Sequence, residues 1–182
     1  MQTLEFTKQA LERSTKAVTM RPAVGQYTHK NIAAIENGTR CYVRDKHFEI
    51  VTDVPASIGG NGGAPTPGAL LRSALSSCVA IGIKLWAARA DIQIDYVEAE
   101  VEGDVDARGE MGVDNGIAPG YLELRLSITI RSNADPAAIK GIIDQSLKYS
   151  PLIDAFSRGH KIQTALEISA GDAKKEGVLS HA

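Results

Sequence analysis

Hydrophobic positions along the chain change their period several times, and each change marks an element. Residues 3–17 set Leu4, Ala10 and Leu11 on one side and Lys8, Glu12, Arg13 and Lys16 elsewhere, which predicts a short amphipathic helix. So small an apolar face cannot fold alone, so this helix is expected to pack as an accessory element. Between Ala23 and Asp53 two strand patterns follow: YTHKNIAAI, a turn at Glu36-Asn37-Gly38, then TRCYVRDKHFEIVTD. Asn-Gly is a strong hairpin signal. The second run is one long strand or, with a turn near Asp45-Lys46, two strands of a three-stranded meander. Pro55 to Pro67 is punctuated by glycine and proline and reads as loop.

Thr66 suits an N-cap and Pro67 the first helical position, and the helix they open is expected to run to Ala90. Leu71, Leu75, Cys78, Gly82 and Leu85 make one face; Ser73, Ser77, Ala80, Lys84 and Ala87 make a second, small-residue face. A helix apolar or small nearly all round is expected to be buried at the centre of its fold. Ile92 to Val105 and Tyr121 to Arg131 then alternate with period two, predicting half-buried strands joined by the loop DARGEMGVDNGIAPG. Asp135-Pro136 opens a helix to about Lys148, with Ile139, Ile142, Ile143 and Leu147 inward. Ser150-Pro151 breaks it, a short helix covers Leu152 to Ser157, and HKIQTALEIS (residues 160–169) reads as a closing strand. The tail from Gly171 is polar and expected to fray. The order is that of an α+β fold, with antiparallel sheets around a long central helix.

Composition narrows the function. Net charge is −2 and the pI about 6.1, so bulk electrostatics favour neither nucleic acid nor an anionic membrane. The four histidines (His29, His47, His160, His181) show no metal-ligand spacing, and no metal or cofactor is expected. Arg72, Lys84 and Arg89 interrupt the longest apolar run, so no membrane span is expected. The opening MQTLEFTKQALERSTK does not read as an export signal, and two free cysteines fit a reducing cytoplasm. The loop GGNGGAP lacks the Lys-Ser/Thr of a P-loop and does not fit G-x-G-x-x-G. Ser76, Ser77 and Ser150 sit in no nucleophile elbow.

The remaining candidate is Cys78. About three turns into its helix, it lies beyond reach of the helix dipole, and its helical neighbours Ala74, Leu75, Ile81 and Gly82 are apolar. Activation would have to come from a basic side chain outside the helix. Arg40 and Arg44, which share a strand face with Tyr42, are candidates; the alternative is that they are surface arginines on an edge strand. Cys78 is equally open to a bland reading as a small buried hydrophobe. Cys41, facing with Val43 the other way, reads as core.

GGNGGAPTPGALLRSALSSCVAIGIKLWAA (residues 59–88) resembles the signature of the OsmC/organic hydroperoxide resistance family. GDVDARGEMGVDNGIAPGYLELRL (Gly103 to Leu126) is similar to a strand–loop–strand segment of an OsmC-like subgroup. KYSPLIDAFSRG (Lys148 to Gly159) resembles the family's second-cysteine motif. The resemblance implies an OsmC-like domain at residues 22–170, between an accessory helix and extension (1–21) and a polar tail (171–182). It further implies an intertwined homodimer whose two long helices pack together and whose active sites lie at the subunit interface. In family peroxidases a first cysteine attacks the peroxide, a second condenses with the resulting sulfenic acid, and an arginine and a glutamate position and activate the first. Cys78 matches the first cysteine. The second-cysteine position is Ser150, and the glutamate position is Gly68. The arginine position falls on Asn37, with Arg40 three residues on. Two functions are therefore carried forward. One is a cytoplasmic peroxide-stress enzyme, a one-cysteine thiol peroxidase acting on small organic hydroperoxides with an external thiol reductant. The other is a catalytically silent dimer that binds a small apolar molecule at its interface.

Overall fold

The structure, a computed structural model, describes residues 3–169. In chain order it contains helix α1 (Leu4–Met20), strands β1 (Ile32–Ala34), β2 (Cys41–Asp45) and β3 (Phe48–Thr52), and the long helix α2 (Pro67–Arg89). Strand β4 (Tyr96–Asp104), a single turn α3 (Ala107–Glu110), strand β5 (Glu123–Arg131) and helices α4 (Pro136–Lys148) and α5 (Pro151–Arg158) follow. The class is α+β, as the patterning predicts. The described residues fall into two compact units: 3–28 with 68–158, and 29–67 with 159–169.

In the first unit β4 and β5 pair antiparallel from Tyr96↔Arg131 to Asp104↔Glu123. Burial alternates along β5 and most of β4, so Val97, Val101, Leu124, Leu126, Ile128 and Ile130 face inward. They pack against a stripe on α2 at helical spacing, Leu75, Val79, Ile83 and Ala87, completed by Ile94 and Ile142. Each strand is shorter at its start than its alternation predicts, beginning at Tyr96 rather than Ile92 and at Glu123 rather than Tyr121. Helix α1 runs three residues beyond the expected Ala17, with Thr3 Oγ1 accepting the Phe6 amide as N-cap. An ion pair between Lys8 and Asp91 (3.2 Å) ties it to the end of α2.

Burial of α2 departs from the expectation of an all-round buried helix. Ser73, Ala74 and Ser77 are exposed, and Ile81 is 58 % exposed. Sheet and α4 cover one side of the helix only, so of the expected small-residue face Ser73, Ser77 and Lys84 point outward, Ala80 is half-buried and Ala87 joins the core. By length and composition α2 is also apolar enough to cross a membrane, contrary to the sequence expectation, because its charges are too few to break the window. Those charges are instead anchored within the unit: Lys84 Nζ donates to the Ile94 carbonyl (2.5 Å) and Arg72 Nη1 to the Tyr121 hydroxyl (2.6 Å).

The second unit is the three-stranded meander β1-β2-β3. Gly38 (φ 68°) and Lys46 (φ 57°) take the left-handed conformations that its two turns need, which settles the second turn at Asp45-Lys46. Of the expected strand at residues 27–35 only Ile32–Ala34 pairs, with Arg44, Val43 and Tyr42. The expected closing strand at 160–169 does not form. Its apolar positions Ile162, Leu166 and Ile168 are 87, 82 and 84 % exposed, and the segment is irregular. Alternation makes a strand only where another edge supplies hydrogen bonds, and among the described residues none pairs with it. The tail from Gly171 lies outside the described residues.

Candidate active site

α4 ends at Lys148 and Pro151 starts α5, so Ser150 occupies the corner between them. Its hydroxyl accepts the Ile153 amide (3.3 Å), an N-cap, while its carbonyl accepts the Asp154 amide (3.0 Å). Held in this way and 5 % exposed, Ser150 places Oγ 3.6 Å from Sγ of Cys78. Either group can donate to the other; toward a thiolate, which carries no proton, the Ser150 hydroxyl is the donor. Two of the three residues picked from the sequence, 72 positions apart, are therefore brought together.

Both groups open onto a cavity of about 740 Å³ that runs along α2 under α1 and the α4–α5 corner. Gly82, one turn after Cys78, allows α4 to come close: a Cβ there would sit 2.7 Å from Ser146 Oγ. Ser146 is 1 % exposed, and its hydroxyl has no hydrogen-bond partner among the described residues. Further along, Trp86 stacks on Tyr149 with ring centroids 5.3 Å apart. Arg89 closes the row, its guanidinium 4.8 Å above the Trp86 ring and one N–H on Thr15 Oγ1 (3.2 Å). Trp86, Tyr149, Ser146 and Arg89 were not picked from the sequence. Trp86 and Arg89 continue the spacing Cys78-Gly82-Leu85, a signal that was available.

The glutamate position, Gly68, offers a backbone carbonyl, which accepts the Tyr121 hydroxyl (3.0 Å). Tyr121 in turn accepts from Arg72, so a polar chain occupies this place without a carboxylate.

Arg40 belongs to the second unit, where its guanidinium lies 5.9 Å from the Tyr42 ring centroid. There it borders the glycine-rich loop, since a Cβ on Gly63 would sit 3.1 Å from its Nη1. Arg44 pairs with Glu49 (3.7 Å). Half-buried Cys41 lies opposite Thr52 in the β2–β3 ladder. The hub of the loop is Asp53, which sequence reasoning missed. Only 2 % exposed, it accepts from the Thr39 hydroxyl (2.8 Å) and from the amides of Val54 (2.8 Å), Asn61 (3.3 Å) and Gly63 (3.4 Å). An aspartate closing a strand just before a glycine-rich loop was the available signal. The Thr39 hydroxyl foremost, then the Val54 amide, hold its carboxyl below the ordinary value against the opposing effect of burial. A depressed folded-state pKa contributes stability above the unfolded value near 3.9, lost as pH falls through the folded one. Asp53→Asn is therefore expected to melt earlier than the parent at pH 7, with the two melting temperatures converging below about pH 4. A constant gap across the whole pH range would contradict this role.

Residues 60–165 match the family model for OsmC-like proteins. The chain belongs to the OsmC-like family. The match takes in both Cys78 and Ser150. No curated protein matches. Solved structures agree on the fold. An OsmC-like protein from Mycoplasma pneumoniae superposes with TM-score 0.63 at 21 % identity, over 73 % of this chain and 89 % of that one. An organic hydroperoxide resistance protein OsmC from Legionella pneumophila gives 0.53 at 21 %, over 73 % and 90 %. An organic hydroperoxide resistance protein from Elizabethkingia anophelis, with thiocyanate bound, gives 0.55 at 20 %, over 74 % and 90 %.

Proposed function

We propose that this OsmC-like protein acts in the peroxide stress response as a one-cysteine thiol peroxidase that reduces organic hydroperoxides at Cys78. The observation that carries this reading is the Cys78 sulfur, paired with a buried hydroxyl at 3.6 Å and open to an apolar cavity. In the reaction, the Cys78 thiolate attacks the terminal oxygen of ROOH. The O–O bond breaks, the leaving RO⁻ takes a proton to become ROH, and Cys78 becomes a sulfenic acid. Serine at position 150 cannot condense with it, so an external thiol forms a mixed disulfide and releases water. A second external thiol then frees Cys78 as the thiolate. The Ser150 hydroxyl donates a hydrogen bond to the Cys78 thiolate. Arg40 is proposed as the basic partner in place of the family arginine.

Homodimerisation through α2 and a cytoplasmic location belong to the same proposal. Support for the dimer comes from the exposed side of α2. Its Ser73 and Ser77 hydroxyls are already satisfied by the Ala69 and Ala74 carbonyls of their own helix, leaving a small, undemanding surface for close helix contact. Glycine and serine at positions 68 and 150 favour a second reading, a silent dimer that binds an apolar molecule.

The test is titration of the reduced protein with an alkyl hydroperoxide while sulfenic acid is trapped with a dimedone-type probe. Labelling at near-stoichiometric peroxide, retained in Cys41→Ser and absent from Cys78→Ser, is the expected result. No labelling under large excess would discard the peroxidase in favour of the silent binder.

A further inference from the structure

Three of the five asparagines in this chain are followed by glycine: Asn37-Gly38 in the β1–β2 turn, Asn61-Gly62 in the glycine-rich loop and Asn115-Gly116 in the β4–β5 loop. Asparagine is chemically labile, and a glycine after it leaves the next backbone nitrogen without a side chain to shield it. All three pairs are exposed. Local sequence and solvent access rank them as equals, and only their hydrogen bonds tell them apart.

The nucleophile in this chemistry is the glycine nitrogen, which must give up its proton and turn toward the asparagine carboxamide. A hydrogen bond from that N–H opposes both steps. The Gly62 N–H donates to the Val54 carbonyl (3.0 Å), and the amides on either side of it, Asn61 and Gly63, both donate to Asp53 (3.3 and 3.4 Å). The Gly116 N–H donates to the Asp114 carboxylate (2.9 Å), and the Asp114 carbonyl accepts the Ile117 amide (3.2 Å). Gly38 has no such tether. Among the described residues neither its N–H nor the Asn37 carboxamide makes a hydrogen bond. Nothing crowds it either, since a Cβ on Gly38 would meet no atom within 4 Å, and its φ of 68° lies where glycine moves freely.

We propose that Asn37 is a site of spontaneous backbone modification, the one of the three that the fold leaves open. The Gly38 nitrogen attacks Cγ of Asn37. A new C–N bond closes a cyclic imide, the carboxamide C–N bond breaks, and ammonia leaves with the Gly38 amide proton. Water then opens the imide, at Cγ to give aspartate or at the Asn37 main-chain carbonyl to give isoaspartate. Either product places a new carboxylate two residues before Thr39 and three before Arg40. Isoaspartate also adds one carbon to the main chain, between the last β1–β2 pair, Ala34↔Tyr42, and Thr39, whose hydroxyl is anchored on Asp53 (2.8 Å). Modification at this turn loosens that anchor as the protein ages.

The test is timed incubation of the full chain in warm, mildly alkaline buffer, followed by peptide mapping. Conversion is read as the mass difference between ammonia lost and water gained, and isoaspartate as enzymatic methyl transfer to its free carboxyl. Asn37 is expected to convert roughly threefold to tenfold faster than Asn61 or Asn115, the factor that one retained hydrogen bond is worth. In denaturant, where no such bond survives, the gap should close. Asp114→Ala, at an exposed position, releases the Gly116 N–H and is expected to raise Asn115 to the rate of Asn37. Asn37→Gln should remove the fast component, and with it a fall in the melting temperature of the aged protein. An intact Asn37 in the folded chain, Asn61 or Asn115 keeping pace with it, a gap that persists in denaturant, or no acceleration of Asn115 in Asp114→Ala would overturn the proposal.

Discussion

Ser150→Cys is expected to change the chemistry at Cys78 from a trappable sulfenic acid to an internal disulfide. The Ser150 oxygen lies 3.6 Å from the Cys78 sulfur, and a sulfur at that corner needs only a rotamer adjustment to approach the bonding distance of about 2.05 Å. Once peroxide has oxidised Cys78, the new thiol condenses with the sulfenic acid, an S–S bond forms and water leaves. Dimedone-type labelling should then fall to background, with intact mass showing the loss of two hydrogens in the absence of external thiol. Turnover would pass from monothiol to dithiol reductants. The substitution also weakens the cap on Ile153, so about 1 kcal/mol of stability is lost. Ser150→Ala carries the same capping loss and serves as the control. It should keep sulfenic acid labelling and react more slowly with peroxide, because the sulfur loses its hydrogen-bond donor. Persistent sulfenic acid in Ser150→Cys would mean that this corner cannot meet Cys78 in solution.

Legibility of this molecule from its sequence followed the range of the interactions involved. α2, α4, β4 and β5 are written in local period and in Pro67 and Pro136, so each was read to within a few residues. The Cys78–Ser150 contact was reachable only through resemblance, since no spacing rule joins positions on different helices. What escaped was tertiary. The orphan Ser146 hydroxyl exists because Gly82 lets α4 approach, and neither residue announces this alone. The one-sided burial of α2 escaped because a helix apolar nearly all round looks the same whether the chain covers both sides or leaves one open. Residues 160–169 carry a strand's alternation without a strand's partner, and alternation reports which face is apolar, not whether an edge is there to receive it.

Gly60→Ala is expected to destabilise the protein by about 2–4 kcal/mol. The loop after Asp53 doubles back so tightly that a Cβ on Gly60 would fall 1.9 Å from the Val54 carbonyl oxygen, itself the acceptor of the Gly62 amide (3.0 Å). Backbone cannot swing aside as a side-chain tip can. Relief requires shifting the segment whose amides converge on the Asp53 carboxylate, so the clash and the loss of those hydrogen bonds arrive together. Gly141→Ala gives the contrast, because nothing lies within 4 Å of its added methyl in α4. It should stabilise by about 0.5–1 kcal/mol through helix propensity alone. Chemical denaturation of the two variants beside the parent would place them on opposite sides of it. A Gly60→Ala protein as stable as the parent would mean that the loop is not held on Asp53.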